Sequence, residues 1–144
     1  MACDVIDYSV VCGNNIASPS RALAAKGGTG MEDCLFCKIV KGEIKGTIVQ
    51  HDDEVTAFRD INPAAATHIL IVPNRHIPSV AELTLDDAPL LARLFQVANK
   101  LGEDEGLADR GYRLVINKGR GAGQSVFHLH IHLLGGRPFS WPPG

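Results

Sequence analysis

Residues 127–134 alternate between apolar and histidine side chains, in the order Phe-His-Leu-His-Ile-His-Leu-Leu. A period of two is typical of a β-strand with two different faces, so the pattern predicts that His128, His130 and His132 share one face. Successive histidines would then stand about 6.7 Å apart, because each strand residue rises about 3.3 Å. Three titratable rings at this spacing indicate a functional site, either for proton transfer and nucleophilic chemistry or for a metal ion.

The composition favours one soluble domain. The chain has 144 residues, of which 45% are hydrophobic, and its net charge of −2 provides no general attraction to nucleic acid or acidic membranes. No apolar run approaches the roughly 20 residues that span a bilayer. The four cysteines, Cys3, Cys12, Cys34 and Cys37, do not resemble a secreted disulfide framework. We therefore expect a cytoplasmic protein with neither nucleic acid nor membrane as a partner.

The first 30 residues have no sustained periodicity, whereas patterned sequence begins at Met31. We predict that residues 1–30 are a disordered or targeting extension and that residues 31–144 form the domain. Organelle targeting is one alternative, but a transit peptide rarely contains acidic residues such as Asp4 and Asp7, and this segment has a single arginine, Arg21. A second alternative is that the natural protein starts at Met31.

The remaining pattern predicts an α+β fold, with a short N-terminal helix, one long helix and an antiparallel sheet of about five strands arranged as a meander. Asp33 is the expected cap of the short helix over residues 34–41, and Gly42 is its expected end. The predicted strands are a hairpin of residues 47–50 and 55–59, then residues 67–73, 112–117 and the histidine run.

The long helix is expected to begin at a capping box of Thr84 and Asp87 and to end at Gly102. Its predicted core-facing stripe has the spacing of three and four residues that a helix requires. That stripe consists of Leu91, Leu94, Phe95, Ala98 and Leu101. We expect the helix to contribute packing and not chemistry.

A glycine-rich loop, residues 118–125, precedes the histidine run. Its glycines permit positive φ angles and a close approach of backbone amides to an anion, while Gln124 and Ser125 add side-chain donors. Such loops are also common as simple turns. Because this one delivers Ser125 next to the histidines, it predicts a phosphate site.

The middle histidine, His130, is the candidate nucleophile, because a neutral imidazole can attack phosphorus and form a phosphohistidine-type intermediate that water then hydrolyses. The other ring N–H needs an acceptor, most simply a backbone carbonyl. His132 and Ser125 are expected to donate to the phosphoryl oxygens, and Asn117 is expected to contact the same group or orient the ring. A protonated His128 or His68 is the candidate proton donor to the leaving group.

At this point residues 33–144 resemble the histidine triad (HIT) superfamily, whose signature alternates histidine and hydrophobic residues as residues 128–134 do. Further matching segments are residues 34–40 (CLFCKIV), 57–61 (AFRDI), 67–73 (THILIVP) and 123–127 (GQSVF). The ending Gly-Gly-Arg-Pro-Phe-Ser-Trp-Pro-Pro-Gly resembles the Hint branch, the purine nucleoside phosphoramidases.

The resemblance implies a homodimer that binds AMP and hydrolyses adenosine 5′-phosphoramidates, such as the unsubstituted and lysine-linked forms, through an adenylylated His130. In the family's transferase branch glutamine replaces the third histidine, so His132 favours hydrolysis. The resemblance also implies that Trp141 reaches over the dimer partner and shapes the leaving-group side; packing on its own domain is the alternative. The implied nucleotide-binding residues are Asp60 and Ile61 for the ribose and base, and Asn117, Gly123, Gln124, Ser125, His130 and His132 for the α-phosphate.

Three other functions remain open from the sequence. Hydrolysis of dinucleoside polyphosphates belongs to a neighbouring branch of the resembled family, and an AMP-binding regulatory scaffold would hydrolyse only incidentally. A metal-dependent hydrolase, in which the three histidines hold zinc, is disfavoured because the outer two would be rooted roughly 13 Å apart on a straight strand.

A structural zinc ion is the one cofactor considered, and no cofactor is expected to be required for catalysis. Cys34, Cys37, His68 and His128 form a set of thiols and imidazoles of the type that zinc binds tetrahedrally, and some members of the resembled family bind zinc with equivalent residues. The alternative is a pair of reduced, buried thiols. His51 and His76 are interpreted as surface or loop histidines.

Overall fold

A five-stranded antiparallel sheet organises the chain, in the strand order β1-β2-β3-β5-β4. The computed structural model describes residues 33–143, so the predictions for residues 1–30 and for the boundary at Met31 lie outside the described residues. The elements are α1 (Leu35–Val40), β1 (Ile48–His51), β2 (Val55–Arg59), β3 (Thr67–Pro73), α2 (Ala88–Asp104), β4 (Tyr112–Val115) and β5 (Ile131–Gly135). The predicted α+β class, with five strands, one long helix and a short first helix, is confirmed.

The predicted meander is wrong, because β5 lies between β3 and β4. β4 follows the long helix and becomes the edge strand, and β5 then fills the position between β3 and β4. In the resulting register Gly135 faces Thr67 on one side and Tyr112 on the other. A Cβ on Gly135 would approach Leu107 to 2.3 Å, so the absence of a side chain lets the loop after α2 pack there.

The sheet is covered on both faces, and the two faces have different partners. One face packs against α2 through Val97, Ala98 and other residues of the main core. The opposite face packs against α1, where Phe36 and Ile39 contact Phe58 and Leu70. β3 is buried along its whole length, as its continuous β-branched and apolar sequence requires. Because side chains alternate along a strand, the polar residues His68 and His132 lie on the α1 face.

The predicted capping box is confirmed. The Thr84 backbone N–H donates to the Asp87 carboxylate at 2.7 Å, and the Thr84 hydroxyl donates to it at 3.1 Å. Both bonds begin a short 3-10 turn, Leu85–Asp87, that leads directly into α2. The predicted end at Gly102 is wrong, because α2 continues to Asp104 and the chain reverses at Gly106, where φ is +69°.

Two further local predictions are wrong for geometric reasons. Phe95 is 38% exposed, and Val97 takes the buried position in the stripe with Leu94, because successive helical residues point about 100° apart. Asp33 does not cap α1: Cys34 is the N-cap residue and makes no side-chain capping bond, whereas Asp33 lies 3.8 Å from the Lys38 ammonium.

Within residues 33–143, no helix combines the length and apolar character needed to cross a membrane.

Candidate active site

The histidine run is a strand only in its second half. β5 begins at Ile131, so His128 and His130 precede it and only His132 lies within it. The predicted strand over residues 127–134 therefore begins too early, but the predicted division into two faces holds. Leu129, Ile131 and Leu133 lie in the core that α2 covers, whereas the His128 and His130 rings both pack against Phe36 of α1.

The His128 ring is fully buried. Its Nε2–H donates to the Pro73 carbonyl at 2.8 Å, and its Nδ1 lies 3.5 Å from the sulfurs of Cys34 and Cys37. Burial lowers the pKa of His128 to about 4, so the ring is neutral. This position does not support the predicted role of His128 as a proton donor, because its ring nitrogens face the Pro73 carbonyl and the thiols.

His130 has the orientation that a nucleophilic imidazole requires. Its Nδ1–H donates to the backbone carbonyl of His128 at 2.7 Å, which leaves the lone pair on Nε2. Burial lowers the pKa of His130 despite this bond and the nearby Asp60 carboxylate, so the ring is held in its neutral form. The backbone-carbonyl acceptor expected from the sequence is present.

His132 is set as a hydrogen-bond donor by a chain of bonds through His68. The Ala64 backbone N–H donates to His68 Nδ1 at 3.1 Å, so the proton of the neutral His68 ring is on Nε2. That Nε2–H donates to His132 Nδ1 at 2.9 Å, which places the His132 proton on Nε2. His132 Nε2 is buried and is the one such side-chain nitrogen or oxygen without a partner in the described part of the chain. A buried donor without a partner is costly, so its position favours an incoming acceptor.

His130 and His132 lie side by side, with ring centroids 4.8 Å apart, and both line a cavity of about 320 Å³. Ser125 also lines this cavity. Much of the lining is apolar, and a flat heterocycle is the kind of group that such a surface accommodates. The apolar lining residues are Leu35, Phe36, Ile39, Ile44, Phe58, Ile61, Leu70 and Val126.

Asp60 and Ile61 lie at this cavity, directly after β2, in agreement with the expectation that they contact a ligand. One Asp60 carboxylate oxygen accepts the Asn62 backbone N–H at 2.8 Å, and the other lies 3.5 Å from His68 Nε2. Ile61 is 91% exposed at the mouth. The Asp60 carboxylate therefore retains acceptor capacity for ligand hydroxyl groups.

The glycine-rich loop is a closed turn and not an open anion nest. The backbone N–H groups of residues 122, 123 and 124 all donate to carbonyls within the loop. The Gln124 side chain is also used internally: it accepts from the Gly119 N–H at 2.8 Å and donates to the Pro78 carbonyl at 2.8 Å. The amides of residues 122–124 and the Gln124 side chain therefore have partners within the protein, and their contact with phosphate stays a prediction; Ser125 is the polar residue of the loop that lines the cavity.

Asn117, Gly123 and Trp141 do not line the cavity within this chain. Asn117 lies two residues beyond β4, with its side-chain nitrogen 3.8 Å from the position that a Cβ on Gly123 would occupy. The tail before Trp141 packs on its own domain, where the Arg113 guanidinium donates to the Ser140 carbonyl, whereas the Trp141 side chain itself is 85% exposed.

A second cluster, the thiol-imidazole cluster, consists of Cys34, Cys37, His76 and His128. His76, which sequence analysis interpreted as a loop histidine, occupies the place that was predicted for His68. The His68 prediction is wrong because the His68 ring belongs to the pair with His132. The position of His76 in the sequence could have indicated its role, because His76 follows the end of β3 and β3 is the strand that pairs with β5.

The thiol-imidazole cluster fits a tetrahedral zinc ion. Ligands about 2.0–2.3 Å from such an ion stand about 3.3–3.8 Å from one another. His76 Nδ1 lies 3.3 Å from both the Cys37 sulfur and His128 Nδ1, and the His128 contacts to both sulfurs are 3.5 Å. All four donor atoms lie within 4.8 Å of one another. Two soft thiols with two imidazoles form a donor set that zinc prefers.

A separate cavity of about 360 Å³ differs from the histidine cavity in the charge of its lining. Its lining includes Asp53, Glu54, Asp86 and Asp87, with Arg75 already paired to Asp87. The negative charge of this lining disfavours a phosphate ligand, so the histidine cavity is the candidate active site.

The fold and the two histidine clusters allow a comparison with known proteins. The HIT domain family model matches residues 41–139.

The chain belongs to the HIT domain family.

Among curated relatives of this HIT protein, the purine nucleoside phosphoramidase of Escherichia coli strain K12 is 52% identical over 107 residues, which cover 74% of this chain and 90% of that protein. An uncharacterized HIT-like protein of Synechocystis is 49% identical over 113 residues, or 78% of this chain and 98% of that protein. The crystal structure of a HIT family hydrolase from Legionella pneumophila Philadelphia 1 has a TM-score of 0.76 and 53% identity, covering 77% of this chain and 99% of that chain.

Proposed function

We propose that this HIT protein hydrolyses the P–N bond of adenosine 5′-phosphoramidates through a covalent AMP intermediate on His130. The observation that carries the proposal is the His130 ring, whose Nδ1–H is held by the His128 carbonyl at 2.7 Å and which lines a partly apolar cavity. The 52% identity to a purine nucleoside phosphoramidase supports the same substrate class.

In the first step His130 Nε2 forms a bond to the α-phosphorus, and the P–N bond to the amine breaks. The nitrogen leaves as an amine after it accepts a proton from solvent water, and the water that attacks in the second step returns one proton to the solvent. His132 Nε2–H and the Ser125 hydroxyl donate to the non-bridging oxygens, where negative charge must be stabilised in the transition state. His132 is suited to this because its buried Nε2 has no other partner among the described residues.

In the second step water attacks the same phosphorus and the bond to His130 breaks, which releases AMP and restores the neutral ring. The apolar residues of the cavity accommodate the purine, with the exposed Ile61 among them. Asp60 accepts hydrogen bonds from the ribose hydroxyls. No metal is needed for either step, and a zinc ion in the thiol-imidazole cluster would supply structural cross-linking, since the cluster includes none of the residues that contact the substrate in this proposal.

The functional unit in this proposal is a homodimer. Trp141 is a large aromatic side chain, and 85% of its surface is exposed. The residue before it is held to the domain, because the Arg113 guanidinium donates to the Ser140 carbonyl at 2.9 Å. An exposed tryptophan of this kind is typical of an interface residue. We assign it to the leaving-group side of the partner's site.

Trapping the intermediate tests the proposal. Wild-type protein is mixed with adenosine 5′-phosphoramidate and quenched with base within milliseconds to seconds, and the peptide that contains His130 is weighed by mass spectrometry. We expect an added AMP on that peptide and multiple turnovers to AMP. The matched His51→Ala variant, which changes an exposed histidine bonded to Thr56, should behave as wild type, whereas His130→Ala should form no adduct and lose about 1,000-fold or more in kcat.

Other outcomes identify the alternatives. Faster turnover of a dinucleoside polyphosphate than of the phosphoramidate would indicate the neighbouring hydrolase class. Tight AMP binding without turnover of any phosphoramidate would indicate a regulatory scaffold. A hydrolase with zinc held by all three histidines conflicts with the geometry, because the His128 ring lies with the thiols and not with the His130 and His132 pair.

A further inference from the structure

Lys45 is a cationic residue of the histidine cavity to which the proposed function assigns no role. The cavity lining includes three consecutive residues of the loop between α1 and β1, namely Ile44, Lys45 and Gly46. The Lys45 side chain is exposed, and within residues 33–143 it takes part in no ion pair. A lysine ammonium has three donors and no acceptor, so this one is available to acceptors on a ligand.

The cavity lining contains one arginine, Arg59, and this residue is already paired. The Arg59 guanidinium donates to both oxygens of the Glu105 carboxylate, at 2.6 and 3.3 Å. The Thr67 hydroxyl donates to the same carboxylate at 3.2 Å. These bonds hold Arg59 toward the residue that follows α2. In the described part of the chain, Lys45 is therefore the one lysine or arginine of the cavity that has no ion pair.

The backbone next to Lys45 lies against apolar residues of the cavity. A Cβ on Gly46 would stand 3.1 Å from Cγ2 of Ile39 and 3.9 Å from Cβ of Phe58. Ile39 and Phe58 both line the cavity, and both are buried. The loop thus meets the apolar residues that the proposed function assigns to the purine.

Ring contacts give the order of groups from this loop to the nucleophile. Phe58 contacts the Phe36 ring, with centroids 5.4 Å apart, and Phe36 contacts the His130 ring, with centroids 5.2 Å apart. Phe36 therefore lies between the residue that the loop contacts and the nucleophile. A nucleotide with its α-phosphorus at His130 and its base against Phe58 extends the base toward Lys45.

The loop fixes the Lys45 backbone from both sides. The Ile44 backbone N–H donates to the Lys38 carbonyl at 3.3 Å, which attaches the loop to α1. The Arg59 backbone N–H donates to the Thr47 carbonyl at 2.9 Å, which attaches the loop to β2. Only the flexible four-carbon stem of Lys45 has to be ordered when a ligand binds.

We propose that Lys45 recognises position 6 of the base, so that the protein prefers 6-oxopurine nucleoside phosphoramidates, the guanosine and inosine forms, to the adenosine form. This inference rests on the proposed function and names its preferred base. Guanine and hypoxanthine present two adjacent acceptors, O6 and N7, whereas adenine presents N7 beside an N6 amino donor. The Lys45 ammonium can donate to both acceptors of a 6-oxopurine, but it meets another donor at position 6 of adenine.

Asn62 is the competing residue for base recognition, because an amide can pair with N6 and N7 of adenine. Its backbone N–H donates to an Asp60 carboxylate oxygen at 2.8 Å, so Asn62 lies beside the group assigned to the ribose. Lys45 instead adjoins Gly46, which lies against the residues assigned to the purine. The structure therefore favours Lys45 as the residue that distinguishes bases.

The preference should appear in binding and not in the chemical step. One additional hydrogen bond to O6, together with the unfavourable meeting of donors in adenine, should favour GMP and IMP over AMP by about 5- to 10-fold. Guanosine 5′-phosphoramidate should have a KM lower than that of adenosine 5′-phosphoramidate by a similar factor. The two kcat values should agree within about 2-fold, because Lys45 does not contact the reacting phosphorus in this proposal.

Isothermal titration of the full chain with GMP, IMP and AMP tests the assignment. Lys45→Met keeps an unbranched side chain without donors, and Lys45→Arg keeps the charge and the donors. Asn62→Ala tests the competing residue. Lys41→Met is the matched control, because Lys41 is exposed and does not line the cavity. IMP separates the effect of position 6 from that of the 2-amino group of guanine.

We expect wild type, Lys45→Arg, Asn62→Ala and Lys41→Met to bind GMP and IMP about 5- to 10-fold more tightly than AMP. Lys45→Met should bind all three nucleotides within about 2-fold of one another. An equal loss of affinity for all three in Lys45→Met would indicate only general attraction to the phosphate and would overturn the inference. A wild type that does not prefer GMP and IMP would also overturn it, as would a preference that disappears in Asn62→Ala.

Turnover assays separate this inference from the proposed function. If wild type binds the nucleotides but hydrolyses neither phosphoramidate, the proposed function fails, and the ratios of dissociation constants still decide the role of Lys45. If none of the three nucleotides binds, the inference is overturned.

Discussion

His68 and His132 are 64 positions apart in sequence, yet their rings are joined by a hydrogen bond of 2.9 Å between Nε2 and Nδ1. The pairing follows from the register of β3 and β5, in which His68 faces Leu134 and His132 faces Leu70, so the two histidines are diagonal neighbours on one face. Together with the Ala64 N–H, this bond makes His132 a donor toward the cavity.

The first prediction follows from this pair. Replacing His68 with Leu removes the donor to His132 Nδ1, so the proton of His132 is no longer confined to Nε2. We expect kcat for adenosine 5′-phosphoramidate to fall about 10-fold or more, because a preorganised donor to the phosphoryl group is lost. His68→Gln, which can donate again, should recover part of that loss. Steady-state kinetics of both variants beside His51→Leu measure the effect, and equal rates for His68→Leu and wild type would contradict it.

The second prediction concerns ribose recognition by Asp60. Hydrogen bonds to charged groups contribute about 1.5–3 kcal/mol, so Asp60→Ala should weaken binding of AMP by roughly 10- to 100-fold. Wild-type protein should lose a similar factor when the ligand is 2′,3′-dideoxy-AMP, whereas Asp60→Ala should bind the two ligands almost equally. Isothermal titration of both proteins with both ligands forms a double-mutant cycle. A full dideoxy penalty in Asp60→Ala would show that the carboxylate does not contact the ribose.

The third prediction concerns stability in acid. Partial burial raises the pKa of Asp52, but the backbone N–H groups of Glu54 and Val55 and the Arg93 guanidinium outweigh it and lower the pKa to about 2. A carboxyl whose folded pKa lies below its ordinary value of 3.8 stabilises the fold above that value and ceases to do so as the pH falls from about 4 to 2. We expect this contribution to be about 1–2 kcal/mol after solvent screening.

Urea unfolding at pH 7 and at pH 2.5 checks the linkage. Asp52→Asn should be less stable than wild type at pH 7, and the difference should shrink in acid. A difference that is constant between the two pH values would contradict the assignment.

The fourth prediction concerns the glycine inside α2. A Cβ at Gly102 would lie 2.6 Å from Cε1 of Tyr112, whose hydroxyl donates to Asn99 at 2.6 Å and so restricts movement of the ring. We expect Gly102→Ala to reduce the free energy of unfolding by about 1–3 kcal/mol, although alanine is the better helix former by about 1 kcal/mol. Gly121→Ala is the control, since a Cβ there meets nothing within 4 Å. Thermal unfolding in which Gly102→Ala is as stable as wild type would contradict the packing argument.

The α+β class, the extents of β2 and β3, and the capping box of Thr84 and Asp87 were predictable because each depends on residues near in sequence. The family was predictable from short motifs, and its model matches residues 41–139. The strand order was not predictable from the sequence, because a helix between β3 and β4 allows β4 to return on either side of the final strand.

The errors at the site concern partners and not faces. Alternation along residues 127–134 predicts which side of the chain each residue takes, and Leu129, Ile131 and Leu133 do lie in one core. It does not show that the His128 ring meets the thiols while the His128 carbonyl accepts from His130.

The sequence by itself determined which residue types are available: a histidine run, a Cys-X-X-Cys helix start and an acidic residue after β2. Only the tertiary structure decided their partners, with His76 joining the thiols and His68 joining His132. The reason is that periodicity reports the direction of a side chain relative to its own strand or helix. Which group it meets depends on strand register and on loops that approach from distant parts of the chain.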